Sequence, residues 1–383
     1  MTPTAAVTQA PLSPTQPVAL EEGASVTEMG VYLAEVATGR LWRLERGGAW
    51  SPDGKVLASA GCCSGQGGLD VIEVPAGPVV RIFSGDVDTL AWSPDGAQIA
   101  FSPAQGGALA RGAYVINRDG SGLKRLSERT GWISWSPRGD RIALQGPGLY
   151  LVEAATGDTS EIPDATQAPW YPGSVSWSPD GALLAFANDS GLYVYSPDTG
   201  DRRQVAVGPS AFPSWSPDGR RIAFYFGPRI PMAYGAYAGD PEVGQQIPHV
   251  VELEGSSEPK PLPVAATMSW SPDGSQIAYL EFGCITGAWD VYTAEPGGVA
   301  VRLTSTPAAA KEGPFWSPTG DIIAFSTFGE LILAHAESGE LRTLAASGGS
   351  ESYRPEIHLH GPVWSPDGRY IQFGAGGAHG ICD

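Results

Sequence analysis

The chain has 383 residues, 42% of them apolar and only 17% charged, so it can bury a large core and is not disordered throughout. Its formal charge of −18 excludes a nucleic-acid binder, which needs a basic stripe for phosphates, and disfavours anionic membrane surfaces. No run of eighteen apolar residues occurs, so no membrane-inserting helix is expected.

Residues 1–28, MTPTAAVTQAPLSPTQPVALEEGASVTE, are rich in Pro, Thr and Ala and carry no apolar period. They read as a disordered linker ahead of one folded domain, residues 29–383. The stretch lacks the basic start and apolar core of a secretion signal. A signal or lipid anchor, removed before Met1, is expected. That expectation places the protein outside the cell or in the periplasm and cell envelope.

The first patterned segment, GVYLAEVATGRLWRL (30–44), alternates like a hairpin. A motif then begins at Trp50, Trp92, Trp135, Trp177, Trp215, Trp270, Trp316 and Trp364, with spacings of 42, 43, 42, 38, 55, 46 and 48. Six copies read WSPDG; the third is WSPRG and the seventh WSPTG. Each copy suits a strand end and tight turn: Trp anchors, Pro presets φ, Asp bonds the backbone and Gly takes the left-handed position. A short strand follows each copy, as in AQIAFS, RRIAFY and DIIAFS. Its large apolar residues stand two apart on one face, and a small one between them lets the next sheet approach.

A second hairpin lies between successive copies, for instance LYLVEAATGDTSEI and DVYTAEPGGVAVRL. Seven such hairpins separate eight motifs, and the eighth is the one at 30–44. The predicted fold is all-β: a single eight-bladed β-propeller of four-stranded antiparallel blades. The ring closes two strands plus two, with residues 30–44 completing the last blade, because an open ring would leave bare strand edges.

These motifs resemble the WD-like propeller repeats of the TolB type, also found in prolyl oligopeptidase and dipeptidyl peptidase relatives. The resemblance covers about residues 30–373 and implies the fold. The G-x-S-x-G elbow of the peptidases occurs nowhere in the chain. The motif Trp and Pro residues are expected to be architectural. The ring of Asp53, Asp95, Asp180, Asp218, Asp273 and Asp367 is expected to serve turns rather than calcium.

In a meander blade, the turns joining first to second and third to fourth strands share one face. The remaining loops share the other, vary in length, and are where binding residues are expected. Loop 226–247 offers Arg229, Met232, Tyr234 and Tyr237; loop 163–174 offers Trp170 and Tyr171; loop 304–315 holds Lys311; loop 346–362 holds Tyr353, Arg354 and Glu356. Aromatic rings among glycines suit peptide or sugar faces; capping the channel or packing within their own loops is the plainer role. His358, His360 and His379 belong to the last blade. Hydrogen-bonded loop histidines and no cofactor are expected there, with one divalent metal on these three as the alternative. Cys62, Cys63, Cys284 and Cys382 fall on the same face. A disulfide from Cys382 to Cys62 or Cys63 would pin the C-terminus; four cysteines allow three pairings, and a thiolate metal site on Cys62 and Cys63 is the rival.

The function expected is a non-catalytic, monomeric propeller that binds a protein, peptide or glycan through the variable-loop face. The alternative is a polysaccharide lyase or hydrolase. It would use His358, His360 or His379 as metal ligands or general base, and Arg229 or Arg354 on an acidic substrate.

Overall fold

The computed structural model describes residues 16–20, 25–61, 67–104, 109–163, 165, 175–227, 247–254, 258–262, 267–283, 288–304, 312–327, 329–347 and 358–376. All regular structure among them is strand, in eight antiparallel sheets. Seven sheets hold four strands taken in chain order, and the eighth joins the two ends of the chain. The protein is an eight-bladed β-propeller. Blades are numbered here by their motif Trp, from Trp50 in blade 1 to Trp364 in blade 8.

First strands of successive blades abut one another: Ala49–Trp50 lies against Val87–Trp92, and Glu312–Trp316 against His358–Trp364. They therefore ring the central axis, with fourth strands at the rim. In blade 8 Gly30 pairs with Ala375 and Glu35 with Tyr370, which is the predicted two-plus-two closure. The sheet also gains an edge strand. Val18–Ala19 pairs with Arg43 and Trp42, Leu20 N–H donates to the Leu41 carbonyl, and Val26 is fully buried beside Ser347 of blade 7. Parts of the segment read as a linker thus lie along the rim of the closing blade.

Each motif builds a turn from its own side chains. In blade 1 Ser51 Oγ donates to Asp53 Oδ1 at 2.6 Å and accepts the Val56 N–H at 3.0 Å, while Gly54 takes φ of 70°. Asp95, Asp180, Asp218, Asp273 and Asp367 accept the same seryl hydrogen bond in their own blades. The two variant motifs keep the carboxylate by moving it two residues on: Ser136 donates to Asp140 at 2.6 Å and Ser317 to Asp321 at 3.1 Å.

The motif also ties blade to blade. The indole N–H of Trp92 donates to Ala49 O, Trp177 to Ser134 O, Trp215 to Ser176 O, Trp270 to Ser214 O and Trp364 to Phe315 O, at 2.9–3.3 Å. Each acceptor is the residue before the previous blade's motif Trp. The indole nitrogens of Trp50, Trp135 and Trp316 are buried without a described partner. Six motif Trp residues are at most 9% exposed; Trp50 and Trp364, either side of the closing blade's junctions, are half-buried.

Second strands supply the interlock between blades. Ile99 and Phe101 face blade 1, packing with Val56 and Leu69, whereas Ala100 between them faces blade 3, packing with Ile142 and Leu144. The small residue allows the close approach that the alternation predicts. Blade 8 departs from this pattern. Gln372 stands where the others have Ala, and its Oε1 accepts the Gly48 N–H of blade 1 at 3.1 Å. Beside it, Tyr370 stacks on Trp50 and meets Trp42 edge-on, so a polar bond and an aromatic cluster hold the seam.

Candidate functional site

Innermost strands have no partner on their axial side, so their exposed side chains meet only solvent of the channel and its mouths. Four large apolar residues are exposed on these strands: Trp132 (48%), Phe212 (38%), Phe315 (37%) and Val363 (47%). Phe315 and Val363 stand directly before a motif Trp, where blades 1 to 6 have Ala or Ser. Large side chains there are a departure from the repeat and do not follow from its architecture.

Local backbone aims three of the four. The first strands of blades 5, 7 and 8 each carry a register shift: between Ala211 and Ser214, Glu312 and Phe315, and His360 and Val363. Each bulge contains a proline, Pro213, Pro314 or Pro362. Proline is tolerated because an edge strand need not donate every N–H to a ladder, and bulges re-aim the side chains around them. Phe212 is the one non-glycine residue with positive φ (50°) among the described residues, and it precedes proline. Its ring meets Tyr225 edge-on at 6.2 Å. A left-handed aromatic is strained backbone, retained where surrounding structure demands it.

Acidic groups accompany the apolar ones. Asp88 lies at a bulge in the first strand of blade 2, and Glu312 at the start of that of blade 7; both are exposed. Glu312 accepts the Gly361 N–H of blade 8, bridging two innermost strands. On blade 6 burial pushes the Glu281 carboxyl up and the Tyr279 hydroxyl higher still, and that hydroxyl is buried without a described partner. Among the described residues, the exposed side chains of the innermost strands are therefore mainly apolar groups and carboxylates, while Tyr279 and Glu281 lie on the second strand of their blade.

Two of the predicted site residues have described backbone. His358 and His360 lie on the first, innermost strand of blade 8, in register with Gly376 and Gly374. Trp170, Tyr171, Arg229, Met232, Tyr234, Tyr237, Lys311, Tyr353, Arg354, Glu356 and His379 lie outside the described residues, as do Cys62, Cys63, Cys284 and Cys382. His249 is packed between Phe224 and Phe226 with Nδ1 at 2.9 Å from Ile247 O, and His335 Nδ1 accepts the Ser338 N–H in a turn. Among the described residues no group of three or more His, Cys, Asp or Glu is placed to hold a metal ion. The sequence did hold a signal for the exposed channel residues: bulk at the position before WSP where other copies have Ala or Ser.

No family model matches the chain. An uncharacterized protein of Agrobacterium fabrum, Atu1656, is 26% identical over 216 residues, 55% of this chain and 69% of that protein. The Tol-Pal system protein TolB of Francisella tularensis is 30% identical over 81 residues, 21% of this chain; the chain spans about a fifth (19%) of that relative. Among solved structures, a dipeptidyl peptidase 4 of Porphyromonas gingivalis superposes with a TM-score of 0.60 at 15% identity, over 85% of this chain and 56% of that one. An oligogalacturonate lyase solved with manganese gives 0.53 at 12% identity, over 85% of this chain and 98% of that one. These structural likenesses show the propeller fold.

Proposed function

The repeats are of the TolB-like, WSPDG kind, and on that footing we propose a non-catalytic cell-envelope propeller that binds a partner protein at the variable-loop face and channel mouth. The observation that carries this reading is the exposure on innermost strands of Trp132 and Phe212, three residues before their motif Trp and so toward the variable-loop end, with Phe315 and Val363 further along the channel. Large rings on a rigid frame give contact area with little side-chain entropy to lose, and aromatic residues are enriched where interfaces gain most of their energy. Asp88 and Glu312 favour a partner with basic groups beside its apolar ones. The envelope location is supported by the stretch shared with a protein of the Tol-Pal system.

Site-specific photo-crosslinking in the native host tests this. A benzophenone amino acid at position 132 or 315 should give one discrete protein adduct in the envelope fraction. The same group at Val80, 47% exposed on the outer strand of blade 1, should give none. Equal adducts from all three positions, or adducts only to glycan, would remove the reading.

A further inference from the structure

Two of the outer hairpins are near copies of one another. Residues 30–44 of blade 8, GVYLAEVATGRLWRL, align without a gap on residues 112–126 of blade 2, GAYVINRDGSGLKRL. Tyr32 pairs with Arg43 and Tyr114 with Arg125; the next pairs are Leu33 with Trp42 and Val115 with Lys124. The side chains repeat their bonds as well. Each Tyr hydroxyl donates at 2.9 Å to the carbonyl four residues back, Glu28 O or Ala110 O. Each Arg Nη2 donates to the carbonyl fourteen residues back, Met29 O or Arg111 O.

What lies beside the two hairpins differs. On blade 8 Val18 pairs with Arg43, Leu20 N–H donates to Leu41 O at 2.9 Å, and Leu20 packs in the cluster that holds Leu41, itself 4% exposed. The same segment brings Glu28 to Arg43 at 2.6 Å. On blade 2 no further strand lies beside Lys124–Ser127 among the described residues. Leu123, the counterpart of Leu41, is 43% exposed. Ala110 stands in the place of Glu28, so the ion-pair partner of Arg125 among the described residues is the exposed Glu128, at 3.7 Å. Backbone groups alternate in direction along a strand. Because the register at Tyr114 matches that at Tyr32, the Leu123 carbonyl faces outward as that of Leu41 does, and no described backbone N–H donates to it. The hairpin is also a charge exception. Residues 111–129 hold five cations, Arg111, Arg118, Lys124, Arg125 and Arg129, against two carboxylates, Asp119 and Glu128, in a chain of formal charge −18. Lys124 donates to Ala155 O and Arg129 lies over the Tyr150 ring, yet both stay exposed with Arg111 and Arg125.

We propose that the outer edge of blade 2 docks a strand of a partner protein, added antiparallel beside residues 123–127 as residues 18–20 are added to blade 8. The strand it fits is apolar and acidic, with a carboxylate for Arg125. A bare edge is a template for pairing: main-chain bonds supply affinity, and complementary charge selects the partner. The chain's own segment has this chemistry, reading Val18-Ala19-Leu20-Glu21-Glu22. It is held on its own blade 8 by the full burial of Val26 and the Glu28–Arg43 pair, so a second copy does not supply it. This rim surface is separate from the proposed channel-mouth interface, and its test does not depend on that one.

The probe is the sequence of residues 16–22 as the peptide acetyl-Gln-Pro-Val-Ala-Leu-Glu-Glu-amide, titrated into full-length protein and followed by hydrogen exchange with mass spectrometry. Amides of residues 123–127 should gain saturable protection, and those of Leu41–Leu44 should stay unchanged. A peptide with N-methylleucine lacks the N–H that Leu20 donates on blade 8 and should protect nothing. Replacing both glutamates by glutamine should weaken binding several-fold, as should high salt. Leu123→Asp, at an exposed position, should abolish the protection with Tm unchanged. If that variant fails to fold, Arg111→Glu, whose exposed side chain makes no described bond, should weaken binding several-fold on an intact ring. Protection that is absent, equal for the N-methylated peptide, or confined to Leu41–Leu44 would overturn the assignment. Protection of residues 123–127 that grows with protein concentration and needs no peptide would also overturn it, because a second copy would then hold the edge.

Discussion

Serine and aspartate of the motif act as one unit. Ser51 is fully buried and both donates to Asp53 and accepts the Val56 N–H. Ser51→Ala should destabilise by about 1–3 kcal/mol, because it strands a carboxylate and a backbone N–H together; urea unfolding measures it. The same bonds make the ring acid-sensitive. Asp53, Asp95, Asp180 and Asp273 are held below the ordinary carboxyl value of 3.8 by their serines first, and Asp321 by Thr319 first. A depressed folded value contributes stability above the unfolded pKa, and this is lost as pH falls through the folded one. Tm should therefore drop from about pH 5 to about pH 3, and Asp→Asn at two of these turns should flatten the slope. Glu281 has the opposite sign. Burial raises it above 4.5, so its stabilising proton is lost as pH rises from the unfolded value through the folded one. Glu281→Gln should raise Tm at neutral pH and leave it unchanged below about pH 4. At this scale much was legible: Asp140 and Asp321 stand in the sequence beside the two motifs that lack an aspartate. The packing of His249 between two phenylalanines was not, because its neighbours depend on strand register.

Between elements, the indole bond is the interaction to test. Trp177 donates to Ser134 O of blade 3, whereas the Trp135 nitrogen is buried without a described partner. Trp177→Phe should cost about 1 kcal/mol more than Trp135→Phe, both losing similar apolar volume, as read by chemical unfolding midpoints. Equal losses would mean the indole bonds add nothing to blade adhesion. The order of strands within blades was legible because alternation and turn residues are local signals. The bulges at Pro213, Pro314 and Pro362 were not. A proline in a strand is permitted only where one edge lacks a partner, and which strand is innermost is a property of the ring.

For the whole ring, closure is the decisive event. Its two halves come from opposite ends of the chain, Gly30–Glu35 pairing with Tyr370–Ala375, and the 3.1 Å bond from Gly48 to Gln372 holds the adjoining junction with blade 1. Such contacts cost loop-closure entropy before returning anything, so the seam should be the last part to form. The N-terminal segment covers the outer edge beside it. Val26→Ala should destabilise by about 1–3 kcal/mol, and hydrogen exchange should rise first in Gly30–Glu35 and Leu41–Leu44. If exchange rose uniformly around the ring, the segment would not be acting at the seam.

Eight motifs separated by seven hairpins, with one hairpin in front, already require the two ends of this chain to share a blade, because strand edges must be paired and the count leaves no other partner. Turn chemistry and the spacing of large and small residues were likewise written locally. What packs on the motif tryptophans and which apolar side chains are exposed on the innermost strands emerged only in three dimensions. Those depend on residues of neighbouring blades meeting across an interface although they are far apart in the chain, as Trp215 and Ser176 are at 39 positions.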